Sequence, residues 1–208
     1  MTGGARAGRT RTRLDPGVRR EQIIDAAEEV FAGRDPNEVT LEEIAEQAGV
    51  SRALVYNYFG DKSGVIAAVY LRCSQRLDEA LEPVHLALDT TLCDRLHQLV
   101  EVYLRFATEH AAAWKLVSTA EATVHPLVLQ ARRWRDEQLA TAWGGTAEAR
   151  LLARGVLGCL EAATLDWLDS REPPLDRAVA VIHALLWEGL RGLRTHPGSL
   201  EVVSGADT

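Results

Sequence analysis

Residues 40–59 read TLEEIAEQAGVSRALVYNYF, and the fold follows from this stretch. Thr40 can act as the N-cap of a short helix, and Glu43, three residues later, completes a capping box with it. Gly49 ends that helix, because glycine adopts a left-handed turn conformation without steric cost. Ser51 can then cap a second helix that runs to residue 58. The stretch predicts two short helices joined by a tight turn.

The apolar residues of this stretch are spaced so that both helices can dock on a core. Leu41, Ile44 and Ala45 share one face of the first helix. Val50 and Leu54 are predicted to anchor the second helix, which then presents its N-terminal residues outward. This arrangement is a helix-turn-helix, and its second helix has the size that fits the major groove of DNA.

Two outward-facing side chains of the second helix have the chemistry that reads base pairs. An arginine can bind guanine through two hydrogen bonds, and an asparagine can bind adenine in the same way. Arg52 and Asn57 are the residues of those types here, and we predict base contacts from both. The alternative is an ordinary pair of core helices, which would not need such an exposed surface.

The charge is distributed unevenly along the chain. The net charge of −7 argues against a nucleic-acid partner, but residues 1–20 carry six arginines, a single aspartate and almost no apolar side chains. Such a segment is typical of a disordered basic arm that lies along phosphates, and we place its end at residue 18. The alternative is a solvated tail without a function. The six arginines are Arg6, Arg9, Arg11, Arg13, Arg19 and Arg20.

The rest of the chain alternates apolar stripes at helical spacing with short breaks, and it contains no strand-like alternation. Together with the helix-turn-helix, this pattern predicts an all-α chain of about nine helices, in which Pro83 ends the long fourth helix. The other helices are predicted at residues 19–32, 62–82, 89–110, 111–118, 126–143, 146–170 and 175–194.

Composition and motifs limit the classes of function that the chain can have. Apolar residues make up 47% of the chain and charged residues 25%, as in an ordinary globular protein. No apolar run is long enough to span a membrane and no signal peptide is recognised, so we expect a cytoplasmic protein without a membrane partner. The three cysteines lack metal-ligand spacing. Catalytic motifs are lacking, and Pro83 interrupts the Glu82–His85 pair that has di-iron spacing, so we expect no enzyme activity, metal or cofactor.

Residues 20–71 resemble the N-terminal domain of the TetR family of transcriptional repressors, and the match runs through the whole range in one register. The resemblance implies three DNA-binding helices and a fourth that links them to an all-helical ligand-binding and dimerisation domain. The matching elements are Ile23-Ile24-x-Ala26-Ala27, Phe31, Thr40-x-x-x-Ile44-Ala45, Ala48-Gly49-Val50-Ser51, Leu54-x-Tyr56-x-Tyr58-Phe59 and Lys62. The predicted organisation is a basic arm at 1–18, a helix-turn-helix domain at 19–64, the helical domain at 65–196 and a flexible tail at 197–208.

The resemblance also implies roles for individual residues of the helix-turn-helix domain. Thr40 would contact a phosphate, and Ser51 to Ala53 would lie at the floor of the groove. Tyr56 and Tyr58 would contact the DNA backbone or bases. Lys62, at the N-terminus of the fourth helix, would meet a phosphate with help from the helix dipole.

Two residues depart from the family's pattern. The family often has a good helix former shortly after the lysine, where this chain has Ser63 and Gly64. Glycine in the first turn of a helix costs up to ~1 kcal/mol, so we expect it to loosen the junction between the two domains.

The last two long helices carry stripes that suit a dimer. Small residues on the first of them allow another helix to approach closely, and aliphatic residues on the second favour burial. Two such helices from each of two chains would form a four-helix bundle, as the resemblance also implies; the alternative is that both stripes pack inside one protomer. The predicted interface residues are Gly155, Gly158, Ala162, Ile182, Leu186 and Leu190.

The aromatic residues suggest a ligand cavity in the helical domain. All five tryptophans follow residue 110, and aromatic side chains commonly line apolar pockets. We expect an apolar or aromatic small molecule there, although each aromatic residue taken singly could be plain core. The candidate lining residues are Tyr103, Phe106, Trp114, Trp134 and Trp167.

These features predict a homodimeric, ligand-responsive repressor. It would bind a pseudo-palindromic operator on double-stranded DNA and release it when the small molecule binds the helical domain. Two alternatives stay open. One is a small-molecule-binding helical protein without operator binding, which the excess of acidic residues between 21 and 62 suggests. The other is a transcriptional activator of the same fold.

Overall fold

The computed structural model describes residues 15–32, 34–87, 89–116 and 125–194. These ranges contain nine α-helices, one short 3-10 helix at Pro36–Glu38 and no strand, which confirms the predicted all-α fold. The basic arm up to residue 14 and the tail at 197–208 lie outside the described residues. The helices are α1 Pro16–Phe31, α2 Leu41–Gln47, α3 Arg52–Phe59, α4 Lys62–Leu86, α5 Leu92–Glu109, α6 Ala111–Leu116, α7 Pro126–Ala142, α8 Ala147–Ser170 and α9 Leu175–Arg194.

The first helix begins three residues before the position expected from the sequence. Its N-cap is Asp15, whose side chain accepts hydrogen bonds from the backbone amides of Gly17 and Val18. Pro16 follows as the first helical residue, where its missing N–H costs no hydrogen bond. Residues 16–18, which were assigned to the arm, therefore belong to α1.

The fourth helix runs past the proline that was predicted to end it. Pro83 lies inside α4, which continues to Leu86. A proline inside a helix removes one backbone hydrogen bond, but Leu81 and Val84 on either side of it are buried. Their burial holds the last turn in helical conformation, so the prediction that α4 ends at Glu82 is wrong.

Helix α4 is shared between the two largest hydrophobic cores of the described residues. The N-terminal core is formed by α1 to α4 together with Leu116 of α6, and α4 supplies Val65, Ile66 and Val69 to it. Further along, α4 supplies Leu77 and Leu81 to the C-terminal core, where they pack with α5, α6, α8 and α9. A displacement of α4 therefore disturbs the packing of both halves.

Gly64 lies where the first turn of α4 meets the end of α3. A Cβ atom built on Gly64 would lie 1.9 Å from the backbone oxygen of Phe59. Only glycine permits this approach, so α3 and α4 are closely packed here. The effect of Gly64 on the junction between the two domains stays a prediction. Asp61 caps the same turn by accepting a hydrogen bond from the amide of Gly64 at 2.9 Å.

No helix of the described part of the chain combines the length and the apolar character that crossing a membrane requires.

We expect the substitution Gly64→Ala to destabilise the fold by about 1–3 kcal/mol, because the added methyl group forces α3 and α4 apart. Gly192→Ala is the matched control: nothing lies within 4 Å of a Cβ built there, and alanine favours the helix. Thermal unfolding followed by circular dichroism measures both variants. A Gly64→Ala protein with an unchanged melting temperature would contradict the close contact.

Candidate nucleic-acid interface and internal cavity

The corner between α2 and α3 has the geometry expected from the sequence. Thr40 and Glu43 form the predicted capping box: the amide of Glu43 donates to Thr40 Oγ1 at 3.3 Å, and the amide of Thr40 donates to Glu43 Oε2 at 2.8 Å. Gly49 has a φ of +63°, in the left-handed region that favours glycine. Ser51 Oγ accepts the amide of Leu54 at 3.2 Å and caps α3.

The second helix of this corner is anchored mainly by Val55. Its side chain is fully buried in the N-terminal core, whereas Val50 and Leu54, the predicted anchors, are half-buried at the edge. Tyr58 and Phe59 flank Val55 on the same face of α3 and pack against the core. The opposite face of α3 is thereby turned to solvent.

The solvent face of α3 carries most of the predicted DNA contacts. Five predicted residues are exposed together, and the side chain of Tyr56 is 62% exposed. Tyr58 differs because it is half-buried, so only part of its ring is available to a partner. The five exposed residues are Ser51, Arg52, Ala53, Tyr56 and Asn57.

Glu42, which the sequence analysis did not single out, pairs with Arg52. The Arg52 Nε atom lies 2.9 Å from Glu42 Oε1, and both side chains are more than half exposed. An exposed ion pair of this kind contributes at most about 1 kcal/mol, so a phosphate or a base can replace the carboxylate at little cost. Glu42 thus holds the Arg52 side chain near the N-terminus of α3. The position of Glu42 in the first turn of α2 was the signal that could have revealed it.

The ammonium group of Lys62 contacts the 3-10 helix at Pro36–Glu38. Its Nζ atom donates to the carbonyl oxygens of Pro36 at 3.1 Å and Asn37 at 3.3 Å. These bonds tie the start of α4 to the segment before α2. Thr40 is exposed at the start of α2. Phosphate contacts from Thr40 and Lys62 remain predictions from the family resemblance.

An ion cluster that the sequence analysis missed joins α1 to α4. Arg72 of α4 is mostly buried and contacts Asp25 at 2.5 Å, Glu28 at 2.6 Å and Glu21 at 3.5 Å. Arg76 adds a second contact to Glu28 at 3.4 Å. The cluster fixes the DNA-binding helices to α4 and neutralises part of the acidic excess in this region.

A cavity of about 360 Å³ lies between α4, α5, α7 and α8. Its lining residues Trp134 and Gln138 are exposed, so solvent can reach it from the side of α7. Ala142 and Tyr103 complete the less polar part of the wall. The leucines that line it are Leu77, Leu81, Leu99, Leu139, Leu157 and Leu160.

Two polar residues of the cavity wall were not predicted. Arg135 of α7 donates from Nε to Asp78 Oδ1 of α4 at 3.3 Å, and its terminal nitrogen makes a short hydrogen bond to Ser74. Burial opposes the charge of this guanidinium, but Asp78 and the nearby Tyr70 keep the pKa of Arg135 above its ordinary value. Among the described residues of the cavity wall, Arg135 and Asp78 are the charged ones, and they form an ion pair.

The structure brings only some of the predicted ligand residues to the cavity. Tyr103 and Trp134 line it, and Trp114 lies with Tyr103 on a small adjoining void of about 20 Å³. Phe106 and Trp167 do not line either space. Phe106 packs its ring against Trp114 with centroids 6.1 Å apart, and Trp167 Nε1 donates to the carbonyl oxygen of Pro173 at 2.7 Å. Both residues belong to the core, because helix packing has turned them away from the cavity.

Of the two stripes predicted to form a dimer interface, one is buried within the protomer and the other is exposed. Ile182, Leu186 and Leu190 of α9 lie in the C-terminal core of their own protomer, so the prediction that they form an interface is wrong. Gly155 and Gly158 of α8 are exposed, and nothing lies within 4 Å of a Cβ built on either glycine. Ala162 is also exposed.

The exposed apolar residues of the same two helices were missed by the sequence analysis. Leu151 of α8 is 74% exposed, and Val181 and Leu185 of α9 are 49% and 64% exposed. Exposed large aliphatic side chains commonly mark an interface with a protein where they form a contiguous patch. Helical periodicity identified the apolar stripe of α9 that is buried, but it does not tell whether that stripe packs within one protomer or against a second one.

Comparisons with known proteins agree with this geometry. The model of the bacterial regulatory proteins of the tetR family matches residues 23–69. The transcriptional activator FasR of Mycolicibacterium smegmatis is 30% identical over 200 residues, which cover 90% of this chain and 89% of FasR. Two further regulators, AlkX of Mycobacterium tuberculosis and BetI of Rhizobium meliloti, are 30% and 35% identical, over 53% and 59% of this chain and 51% and 63% of their own lengths.

Solved structures of similar fold cover most of the chain. A TetR-like transcriptional regulator from Rhodococcus sp. RHA1 is 28% identical with a TM-score of 0.64, and the match covers 86% of this chain and 100% of that one. FadR of Bacillus subtilis, in complex with stearoyl-CoA, is 20% identical with a TM-score of 0.61, over 81% of this chain and 98% of that one. The second likeness shows the fold alone.

The capping box predicts a defined pH dependence of stability. Hydrogen bonds from the Thr40 amide, and then from the Arg34 side chain, lower the pKa of Glu43 from 4.5 to about 2. Because the pKa is lower in the folded state, the charge of Glu43 stabilises the fold above a pH of about 4.5, and this stabilisation is lost as the pH falls toward 2.

We therefore expect Glu43→Gln to melt at a lower temperature than the unmodified chain at neutral pH, with a difference that shrinks on acidification. Thermal unfolding at a series of pH values measures it. Glu38→Gln, which removes an exposed carboxylate outside the capping box, is the control. A difference that stays constant with pH would show that the charge of Glu43 has no such role.

Proposed function

This chain belongs to the tetR family of bacterial regulatory proteins, and from that premise we propose that it is a ligand-responsive repressor. Its relatives are transcriptional regulators with a helix-turn-helix, and the chain is such a regulator and not an enzyme. In the proposal, a homodimer binds a pseudo-palindromic operator and releases it when a small molecule enters the cavity. The observation that carries the proposal is that one helix, α4, joins the exposed recognition helix to the wall of the cavity.

The proposed DNA contact is made by α3 in the major groove. Arg52 and Asn57 would read bases, and Tyr56 would contact the backbone or a base. A two-fold symmetric dimer would present two such helices to successive turns of the groove, roughly 34–36 Å apart. The basic arm would add contacts to phosphates and make binding depend more steeply on salt.

The proposed dimer forms through the exposed faces of α8 and α9. Leu151, Val181 and Leu185 supply apolar area that is costly to leave in water. Gly155 and Gly158 of α8 would let the partner's helices approach closely, because no side chain covers these glycines. This face replaces the buried stripe that the sequence had suggested.

Release of DNA would be transmitted through α4. Leu77 and Leu81 of this helix line the cavity, while Arg72, less than two turns before Leu77, holds α1 through the ion cluster. A ligand that shifts α4 would change the distance between the two recognition helices of the dimer. Such coupling between two sites typically amounts to 1–3 kcal/mol. FadR of Bacillus subtilis holds stearoyl-CoA, a ligand with a long apolar acyl chain, and this supports an effector with an apolar part in this fold.

Activation is the second candidate function. FasR, which is similar over nearly its whole length, is a transcriptional activator. A reporter gene placed behind the selected operator distinguishes the two, because expression falls in the presence of a repressor and rises in the presence of an activator.

We expect the full chain to select a palindromic sequence from a pool of random DNA duplexes, and Arg52→Ala to weaken binding to that sequence by roughly 1–3 kcal/mol. Binding to unselected DNA should change much less, because Arg52 reads a base. Arg105→Ala, which removes an equally charged and exposed residue of α5, is the control. An equal loss on selected and random duplexes would assign Arg52 to the phosphates instead.

The dimer face gives a separate expectation. Leu185→Glu should convert the protein to a monomer in sedimentation experiments and abolish operator binding, because it buries a charge in the interface. Its melting should remain cooperative, since Leu185 is exposed in the protomer. Leu127→Glu, at an exposed leucine of α7, is the control. A Leu185→Glu protein that remains dimeric would rule out this face.

A further inference from the structure

We propose that the effector of this chain is an apolar carboxylic acid and that Arg135 binds its carboxylate. This inference rests on the proposed function, because it names the class of ligand that the cavity takes. Half of the described residues that line the cavity are leucines, and Arg135 is the one cation among them. An apolar pocket with a few placed polar groups is the usual design of a small-molecule site.

The size and lining of the cavity set the apolar part of the ligand. A volume of about 360 Å³ lies at the small end of the range for ligand pockets. Leucines from α4, α5, α7 and α8 surround it, and Trp134 stands on its solvent side with 56% of its surface exposed. A short aliphatic chain or a small ring system therefore fits this space.

The ion pair in the wall favours an anion over a cation. Arg135 and Asp78 share a single contact at 3.3 Å, and the Arg135 side chain is 23% exposed against 40% for Asp78. When the pair separates, Asp78 can turn to water, but Arg135 would be left as an unpaired charge in apolar surroundings, which is costly. A ligand carboxylate that takes the place of Asp78 avoids that cost and can bind a guanidinium through two parallel hydrogen bonds.

The neighbouring charges do not compete for this position. Glu161 lines the small void together with Arg135. Its carboxylate, however, forms an ion pair with Arg132 at 2.6 Å. Gln138 is neutral. Arg135 is thus the group in the wall that attracts an anion.

A second hydrogen-bond donor belongs to Trp114, which lines the same small void as Arg135. The Trp114 Nε1 atom is buried and has no hydrogen-bond partner among the described residues. A buried donor without a partner is costly. The void of about 20 Å³ has room for about one water-sized group, such as one oxygen of the ligand.

The same exchange of partners provides the link to DNA binding. Arg135 fastens α7 to α4 through Asp78 and Ser74. A carboxylate that draws Arg135 away from Asp78 breaks this fastening at the helix that carries Arg72 and its ion cluster. The ligand would then interact differently with α4 before and after its displacement. Such a difference is what allows a ligand to shift the equilibrium between two conformations.

The test compares matched probes on the full-length protein. Decanoate, decanol and decylamine differ only in the head group, as do naphthylacetate, naphthylethanol and naphthylethylamine. Binding is followed by tryptophan fluorescence and by the shift in melting temperature, below the concentrations at which the probes form micelles. We expect the carboxylate of at least one set to bind about tenfold or more tightly than its alcohol and its amine.

Substitutions assign that preference to the residue. Arg135→Gln should remove the preference for the carboxylate while leaving the binding of the alcohol unchanged, and Arg133→Gln, at an exposed neighbour on α7, should leave both unchanged. Trp134→Phe should reduce the fluorescence response but keep the thermal shift. Binding of no probe, an alcohol or amine that binds as tightly as the carboxylate, or a preference that survives Arg135→Gln would overturn the inference.

A parallel measurement separates this inference from the proposed function. The selected operator duplex is titrated with the same protein, with and without decanoate or naphthylacetate. We expect the carboxylate to weaken DNA binding in the unmodified chain. Arg135→Gln itself removes the link between α7 and α4, so this protein should bind the operator more weakly without a ligand and show no further change when the carboxylate is added. A chain that binds its operator but ignores every carboxylate keeps the proposed function and loses this inference; a chain that binds the carboxylate but selects no DNA does the reverse.

Discussion

The packing of α4 into two cores is the constraint on which the rest of the molecule depends. Its N-terminal half is buried against the DNA-binding helices, and its C-terminal half against the helical domain. At its first turn, Gly64 brings it into contact with the backbone of Phe59 at the end of α3. Protein interiors are close-packed and repack in discrete steps. A displacement at the cavity therefore reaches the recognition helix as a change of position.

Pairing of charges explains how an acidic chain can present a surface for DNA. The acidic residues of α1 contact Arg72 and Arg76, Glu43 contacts Arg34, and Glu42 contacts Arg52. Each pair reduces the negative field near the groove-facing helix. The pair between Glu42 and Arg52 is exposed on both sides, so a duplex can replace the carboxylate with a phosphate or a base. The net charge of the chain is therefore a poor guide to its partner.

Local signals in the sequence were sufficient for the helix-turn-helix. The capping box at Thr40, the left-handed turn at Gly49 and the cap at Ser51 each depend on residues within four positions, and the structure has all three. The errors in helix bounds have local causes too, such as the unrecognised cap at Asp15. The course of α4 past Pro83 needed tertiary packing, because burial of its neighbours outweighs the lost hydrogen bond.

The amino-acid sequence by itself determined the all-α class, the corner that presents Arg52, and the family, because these rest on periodicity and on contacts between near neighbours. Only the tertiary structure decided which aromatic residues line the cavity, that the apolar stripe of α9 packs within its own protomer, and how α4 is held. Arg72 meets Asp25 across 47 positions, and Arg135 meets Asp78 across 57. Pairs so far apart leave no periodic trace in a single sequence, since they arise from the angles at which the helices cross.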